Sequence, residues 1–171
     1  DVACDTAYNA LRPLMRQMRN YFETENYIFV HGWIPIPCQT KDMICNVAIP
    51  SACHGDCPNS EWRDAPYSEW EAARWKNGMD MARNGFIIPD KTIVCGHWHC
   101  SYGHYMVAKD EAKKNGDNEF FCNAPEYYMF GEEANFSPFY DEGIIAIDAC
   151  TAYTKKVNVI VIEDNFIEEE I

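Results

Sequence analysis

The sequence predicts an α/β fold of the α+β kind, in which short buried strands alternate with helices. Two continuous apolar runs, 27–30 and 92–95, each lead directly into a Gly and His pair. Such runs are typical of strands buried on both faces of a sheet. Segments with apolar residues at helical spacing precede both runs. A chain of 171 residues with 47% hydrophobic content is long enough for one core, so we expect 1–171 to form a single domain.

The composition excludes some classes of partner. The formal net charge is −13, and the Lys and Arg residues are scattered along the chain. Binding to nucleic acid depends on clustered cations, so we expect no nucleic-acid partner. No stretch approaches the roughly 20 apolar residues of a membrane span, so we expect no membrane association. An odd number of cysteines, nine, without an export signal favours reduced thiols and a cytoplasmic location.

The first third of the chain predicts a helix, a strand and a long irregular segment. Apolar residues recur at helical spacing over 11–22, and we expect this helix to end near Glu25. The run 27–30 predicts the first buried strand. From 34 to 66 the sequence is rich in Pro, Cys, Asn, Asp and Ser, which predicts irregular structure.

The middle of the chain predicts a helix and a second strand. Ser68 and Glu71 have the spacing of a capping box, which predicts a helix that extends to about Asn84. The run 92–95 predicts the second buried strand. The segment 101–142 combines a polar stretch with an aromatic one, and we expect it to be irregular.

The last part of the chain predicts an antiparallel hairpin. Its two arms are the apolar segments 143–148 and 157–162, which a short turn separates. We expect the two earlier strands to be adjacent in one sheet, the hairpin to extend a sheet of the same core, and the helices to cover its outer face.

The motif Gly96-His97-Trp98-His99 is the most specific short signal in the sequence. It projects two imidazoles from the end of a buried strand, and imidazole is a ligand for Zn, Mn, Fe and Ni. His31 ends the other buried strand in the same way, and ligands of open α/β sheets bind at the carboxyl ends of the strands. The alternative is that these histidines are satisfied by local hydrogen bonds.

These motifs resemble those of the calcineurin-like metallophosphoesterase superfamily, in particular bacterial relatives of the Ser/Thr protein phosphatases. The resemblance runs from Tyr27 to about Ile162 and rests on 28–32, 70–77, 94–99 and the closing segments 143–161. It implies that the chain is the C-terminal half of a four-layer αββα sandwich with mixed sheets.

The resemblance also implies a dinuclear centre of two divalent transition metal ions, Mn, Fe or Zn. His31 and His97 would bind one metal and His99 the other. A hydroxide that bridges the two metals would hydrolyse a phosphomonoester, either a phosphorylated small molecule or a phosphoprotein. The implied activity is therefore that of a metal-dependent phosphatase, similar to the protein phosphatases.

Three further residues are candidates for substrate binding. Arg74 and Asn77 would share a helix face, and a guanidinium can bind phosphate with two hydrogen bonds. His104 would contact the phosphate or support a metal ligand. The alternatives are a structural ion pair for Arg74 and an ordinary surface position for His104.

Some motifs of the superfamily do not occur in residues 1–171. These are Asp-x-His, Gly-Asp-x-x-Asp and Gly-Asn-His-Glu or Gly-Asn-His-Asp, which supply the bridging carboxylate and the leaving-group acid. We therefore expect an N-terminal half to lie outside this chain, to be a partner of it, and to be required for activity.

A cysteine-rich segment offers a different hypothesis. Cys38, Cys45, Cys53 and Cys57 could bind a structural zinc, although their spacing departs from that of paired Cys-x2-Cys sites. The chain would then be a non-catalytic metal-binding or protein-interaction module. The sequence leaves the catalytic acid, the native metal pair and the substrate undetermined.

Overall fold

The fold is mixed α/β and is built on one five-stranded open sheet. A computed structural model describes residues 9–13, 18–35, 62–117, 120 and 125–165. The strands are β1 Tyr21–Glu23, β2 Tyr27–Val30, β3 Thr92–His99, β4 Phe139–Asp141 and β5 Ile144–Asp148. Their order in the sheet is β1-β2-β3-β5-β4. The α/β class predicted from the sequence is therefore confirmed.

The centre of the sheet is parallel and both of its edges are antiparallel. β2 pairs with β3 and β3 with β5 in parallel, whereas β1 and β4 pair antiparallel to β2 and β5. Ile28 lies opposite Ile93, and Ile93 lies opposite Ile144. The predicted adjacency of the two histidine-bearing strands is confirmed, and their carboxyl ends lie at the same edge of the sheet.

Helices connect the parallel strands. A 3₁₀ helix and α1 and α2 precede β3, α3 and α4 lie between β3 and β4, and α5 follows β5. Residues 9–13 are also helical. The bounds are 3₁₀ Trp62–Asp64, α1 Tyr67–Arg74, α2 Gly78–Arg83, α3 Cys100–Asn115, α4 Pro125–Phe130 and α5 Thr151–Thr154.

The core lies between the sheet and these helices. The isoleucines that face one another across β2, β3 and β5 are fully buried, and so are Trp33 and Trp62. Tyr21 of β1 stacks on Trp70 of α1 with ring centres 5.4 Å apart and meets the edge of Trp62 at 4.8 Å. The aromatic residues therefore attach the edge strand to the helical layer.

A small ionic cluster fixes the β1 edge. Glu23 of β1 accepts hydrogen bonds from the guanidinium of Arg63 and lies 2.8 Å from the ammonium of Lys91. Lys91 also donates to the carbonyl oxygen of Thr24 at 2.7 Å. Burial acts to raise the pKa of Glu23, but the hydrogen bonds and charges of Arg63 and Lys91 outweigh it and lower that pKa. The cluster joins β1, the 3₁₀ helix and the turn before β3.

The prediction that the first helix extends to about Glu25 is wrong. Residues 9–13 are helical, but Tyr21–Glu23 forms β1 and pairs with β2. The spacing of the aromatic residues here is compatible with a helix and with a strand. The strand conformation is favoured because it allows Tyr21 to pack against Trp62 and Trp70.

The predicted capping box and the continuous helix to Asn84 are also wrong. α1 begins at Tyr67, after Pro66 as the N-cap residue, and no side chain caps it. It ends at Arg74, and a separate helix α2 begins after Asn77, whose side-chain oxygen accepts from the amides of Met79 and Asp80. A strong cap inside the predicted helix therefore divides it in two.

The region 101–142, expected to be irregular, contains the longest helix that the structure describes. α3 has 16 residues, and its C-cap residue, Gly116, adopts the left-handed conformation with φ 68°. Its apolar residues do not form one continuous face along the helix, because the N-terminal turn is mostly buried and the C-terminal turns are mostly exposed. A helix covered at one end only lacks the periodicity that sequence analysis depends on.

The predicted C-terminal hairpin is wrong as well. β5 pairs with β3 and β4, and 157–162 belongs to no strand. The side chains of Val157, Val159 and Val161 are exposed. The carboxylate of Asp164 accepts from Thr24 and Asn26, so this extended segment returns to the β1–β2 turn. The antiparallel partner of β5 is therefore β4, whereas the hairpin prediction had given that position to 157–162.

Gly103 in α3 allows close contact between that helix and the core. A Cβ atom there would lie 2.7 Å from the sulfur of Met79 and 2.7 Å from the ring of Phe139. Gly103→Ala gains about 1 kcal/mol of helix propensity, but overpacking of a core typically costs about 1–3 kcal/mol. The two effects leave a net loss of about 0–2 kcal/mol, so we expect the free energy of unfolding, measured by urea denaturation, to fall by about 1 kcal/mol. Lys113→Ala on the exposed face of α3 is the control and should change it by less than about 0.5 kcal/mol. An unchanged or more stable Gly103→Ala variant would contradict this contact.

Candidate functional site

His31 and His97 lie together at the carboxyl edge of the sheet. His31 directly follows β2, and His97 lies near the end of the neighbouring β3. Their ring centres are 5.0 Å apart, with the ring planes inclined at 47°. The amide of Gly96 donates to the carbonyl oxygen of His31 at 2.9 Å, which continues the strand pairing to this point. The prediction that these two histidines meet is therefore confirmed.

The position of His31 depends on close contact between the next residue and α1. A Cβ atom on Gly32 would lie 2.4 Å from the carbonyl oxygen of Arg74, so a larger residue would displace the backbone. The amide of Trp33 donates to the carbonyl oxygen of Ala73 at 3.0 Å. The end of α1 therefore fixes the course of the chain as it leaves β2.

His97 occupies an irregular point of β3. Four residue steps of β3, from Cys95 to His99, lie opposite two steps of β5, from Ala146 to Asp148. His97 adopts φ 66°, the left-handed conformation, which is uncommon for a residue other than Gly. Irregularities of this kind redirect a side chain and are over-represented beside functional sites. The strained conformation costs on the order of 1–3 kcal/mol, which the surrounding structure must offset.

His99 is held in one tautomer by a buried serine. Its Nδ1 lies 2.7 Å from Oγ of Ser101, which is fully buried. The single hydroxyl proton of Ser101 goes to the carbonyl oxygen of Met129, at 2.7 Å, because a carbonyl only accepts. Nδ1 of His99 must therefore carry the proton. Nε2 keeps its lone pair, as a metal ligand or base requires.

Asp148 supplies negative charge beside these histidines. It ends β5, lies opposite His99 in the pairing of β3 with β5, and accepts a hydrogen bond from the amide of Cys150 at 2.7 Å. Burial lowers the pKa of His97, the charge of His31 lowers it further, and Asp148 acts to raise it. Burial also lowers the pKa of His99 against the opposing effect of Asp148. Both imidazoles are therefore mainly neutral at pH 7.

The separation of the His31 and His97 rings fits a cation bound between them. Metal–nitrogen bonds of roughly 2.0–2.1 Å at a tetrahedral ion place two imidazole centres about 5 Å apart, and the His31–His97 pair matches this. The ring of His99 packs against Phe130, with ring centres 4.5 Å apart, and against Phe136 at 6.0 Å. Among the residues that the structure describes, no group of three or more His, Cys, Asp or Glu side chains is arranged to hold a metal ion.

Arg74 and Asn77 do not share a helix face, because α1 ends at Arg74. The guanidinium of Arg74 donates to the side-chain oxygen of Asn20 and lies over the ring of Tyr67. Asn77 is the N-cap of α2, and its side-chain nitrogen is buried without a hydrogen-bond partner. The shared-face prediction is wrong, and a role of either residue in substrate binding stays a prediction.

His104 lies in α3 and faces a different cavity. Its Nε2 donates to the carbonyl oxygen of Ser137 at 3.1 Å, and its ring meets the edge of Phe139. It lines a groove of about 510 Å³ that Tyr105, Glu111 and Tyr140 also line. A phosphate contact for His104 stays a prediction. The four cysteines proposed as a zinc site, Cys38, Cys45, Cys53 and Cys57, lie outside the described residues.

The sequence analysis missed two residues that act on the histidines. Ser101 follows the Gly-His-x-His motif by two positions, and an early serine in a helix that starts at the motif is a recognisable second partner. Asp148 ends a buried parallel strand, as His31 does, but its segment had been assigned to a hairpin.

Comparison with protein-family models, with curated proteins and with solved structures finds no match for this chain. The resemblance to metallophosphoesterases therefore rests on the sequence motifs alone. In the part of the chain that the structure covers, no helix has the length and apolar character needed to span a membrane.

The conformation of His97 gives a test based on stability. Because Gly adopts positive φ freely, His97→Gly should be more stable than His97→Ala by about 1 kcal/mol in urea unfolding. The matched control is the next residue, Trp98, which is not among the residues with positive φ. There the order should reverse, since Gly in a strand costs about 0.5–1 kcal/mol relative to Ala. Greater stability of His97→Ala would rule out the left-handed conformation.

The tautomer of His99 can be read directly by ¹⁵N NMR of the histidine rings at pH 7.5. We expect His99 to be protonated at Nδ1, and neutral His104 at Nε2, because its Nε2 donates to a carbonyl. Ser101→Ala should move His99 toward the Nε2-protonated form and leave His104 unchanged. A His99 ring already protonated at Nε2 in the unmodified protein would contradict the assignment.

Proposed function

We propose that this protein is a divalent-metal-dependent phosphoesterase that hydrolyses phosphate monoesters, on the four-layer αββα sandwich with mixed sheets that the motifs imply. The observation that carries the proposal is the pairing of His31 with His97, which adopts a strained backbone conformation. Strained residues persist where the surrounding structure enforces them, and they cluster at functional sites. Free thiols at Cys95, Cys100 and Cys150 support a reducing compartment such as the cytoplasm.

The chemistry of the side chains supports a metal ion at the His31–His97 pair. A metal ligand must be deprotonated, and burial lowers the pKa of His97 so that its ring is neutral at pH 7. Two imidazoles alone hold a divalent ion weakly, so Asp148, which acts electrostatically on His97, is the described carboxylate best suited to add to them. Bound transition metals would supply Lewis acidity toward a phosphoryl oxygen and a nucleophile at neutral pH.

His99 has a supporting role in this proposal. The lone pair on its Nε2 is available to a second cation, and the Nδ1–Ser101 hydrogen bond holds the orientation of the ring. Phe130 and Phe136 pack against the ring and keep water from one side of it. These two contacts with rigid aromatic rings fix where the imidazole lies, and positioning provides much of the catalysis in phosphoryl transfer.

The test combines metal binding with turnover of the full-length protein. Metal content and Mn²⁺ affinity are measured by mass spectrometry and calorimetry, and activity with p-nitrophenyl phosphate. His31→Ala and His97→Ala should each lower kcat/KM by at least about 100-fold and weaken Mn²⁺ binding, since even supporting residues of a metal ligand contribute 10- to 100-fold. Lys113→Ala, on the exposed face of α3 and outside the candidate site, is the control for substitution to Ala.

Thermal unfolding of each variant separates loss of the site from loss of the fold. Folded His31→Ala and His97→Ala variants with unchanged metal affinity and turnover would refute the proposed function. Selective loss in these two variants, with Lys113→Ala close to the unmodified protein, would support it.

A further inference from the structure

The five tryptophans of the chain divide into two groups. Trp33, Trp62 and Trp70 are almost fully buried in the core. Trp75 and Trp98 are exposed, with 68% and 36% of their surfaces accessible. The two exposed tryptophans are the two that contact candidate histidines: Trp75 meets the ring of His97, and Trp98 that of His99. The exposed tryptophans therefore both lie beside the candidate site, whereas the other three are in the core.

Trp75 is the more exposed of the pair and is well held. It is the C-cap residue of α1, and its amide donates to the carbonyl oxygen of Ala72 at 3.3 Å. The indole and the His97 ring meet edge to face, with centres 5.1 Å apart and planes at 78°. An edge-to-face contact uses one edge or face of the indole, so most of its surface remains available to solvent, as the exposure shows.

We propose that the exposed indole of Trp75, packed against His97 beside His31, stacks on a planar aromatic group of the substrate, so that aromatic phosphate esters are the preferred substrate class. The inference rests on the proposed function, because the metal ion proposed at the His31–His97 pair has to bind the phosphate. It adds a residue that determines specificity and does not take part in the bond-breaking step. Stacking of two aromatic rings is stabilised by the apolar area that they bury and by the electrostatic attraction between the rings. An exposed indole can contribute to both.

The aromatic group could be bonded directly to the ester oxygen, as in a phenyl phosphate or phosphotyrosine, or be a nucleobase separated from the phosphate by a sugar. Both present a flat ring near a phosphate. Competition by O-phosphotyrosine and by adenosine 5′-monophosphate against a common aromatic probe distinguishes them, and the one that displaces the probe at lower concentration identifies the source.

The test measures binding rather than turnover. Dissociation constants of phenylphosphonate and methylphosphonate, which are not hydrolysed, are determined by calorimetry on the full-length protein in Mn²⁺-containing buffer. The unmodified protein should bind phenylphosphonate about three- to tenfold more tightly than methylphosphonate. Trp75→Leu should abolish this preference and leave methylphosphonate binding unchanged, and Trp75→Phe should keep part of it.

Tyr140→Leu is the matched control, since Tyr140 is a similarly exposed aromatic residue, at 61%, on the edge strand β4. It should keep the full preference. Equal affinities for the two phosphonates, or a preference that survives Trp75→Leu, would overturn the role of Trp75 while leaving the phosphoesterase proposal intact. Binding of neither phosphonate would overturn both proposals.

Discussion

Parallel pairing of β2 with β3, and of β3 with β5, is the constraint on which the rest of the molecule depends. Strands that run the same way end at the same edge, so the residues after Val30 and at the ends of β3 and β5 meet there. The chain must leave the sheet at this edge, and polar side chains can be placed where backbone pairing stops. The helices, by contrast, occupy the long crossovers that parallel strands require.

The carboxyl edge combines stabilising and destabilising features. Fully buried isoleucines on three neighbouring strands support it from within the sheet. Against this stand the left-handed conformation of His97 and the buried, unpaired side-chain nitrogen of Asn77. Each of these local features costs free energy that the core must offset. The buried sheet therefore has to stabilise a locally strained edge.

The sequence predicted correctly those site residues that directly follow an apolar run. His31 and His97 each follow a continuous apolar run, and both lie where that pattern indicated. The convergence of His99 with them, which the motif also predicted, stays a prediction, since an irregularity in β3 separates the register of His99 from that of Cys95. Asp148 was missed because β5 was paired with the wrong segment. An apolar run does not specify its neighbour in the sheet.

The sequence by itself determined the α/β class, the positions of β2 and β3 and the histidines near their ends, since these depend on local runs of apolar residues. The burial on both faces predicted for β2 is wrong, because only Ile28 of its four residues is buried. Only the tertiary structure decided that Tyr21–Glu23 is a strand and that α3 begins directly after His99. It also decided that the antiparallel partner of β5 is β4 and not the segment 157–162. Short edge strands and a helix buried at one end carry little periodic signal. Their conformations are selected by contacts between residues far apart in the chain, such as the packing of Tyr21 on Trp70.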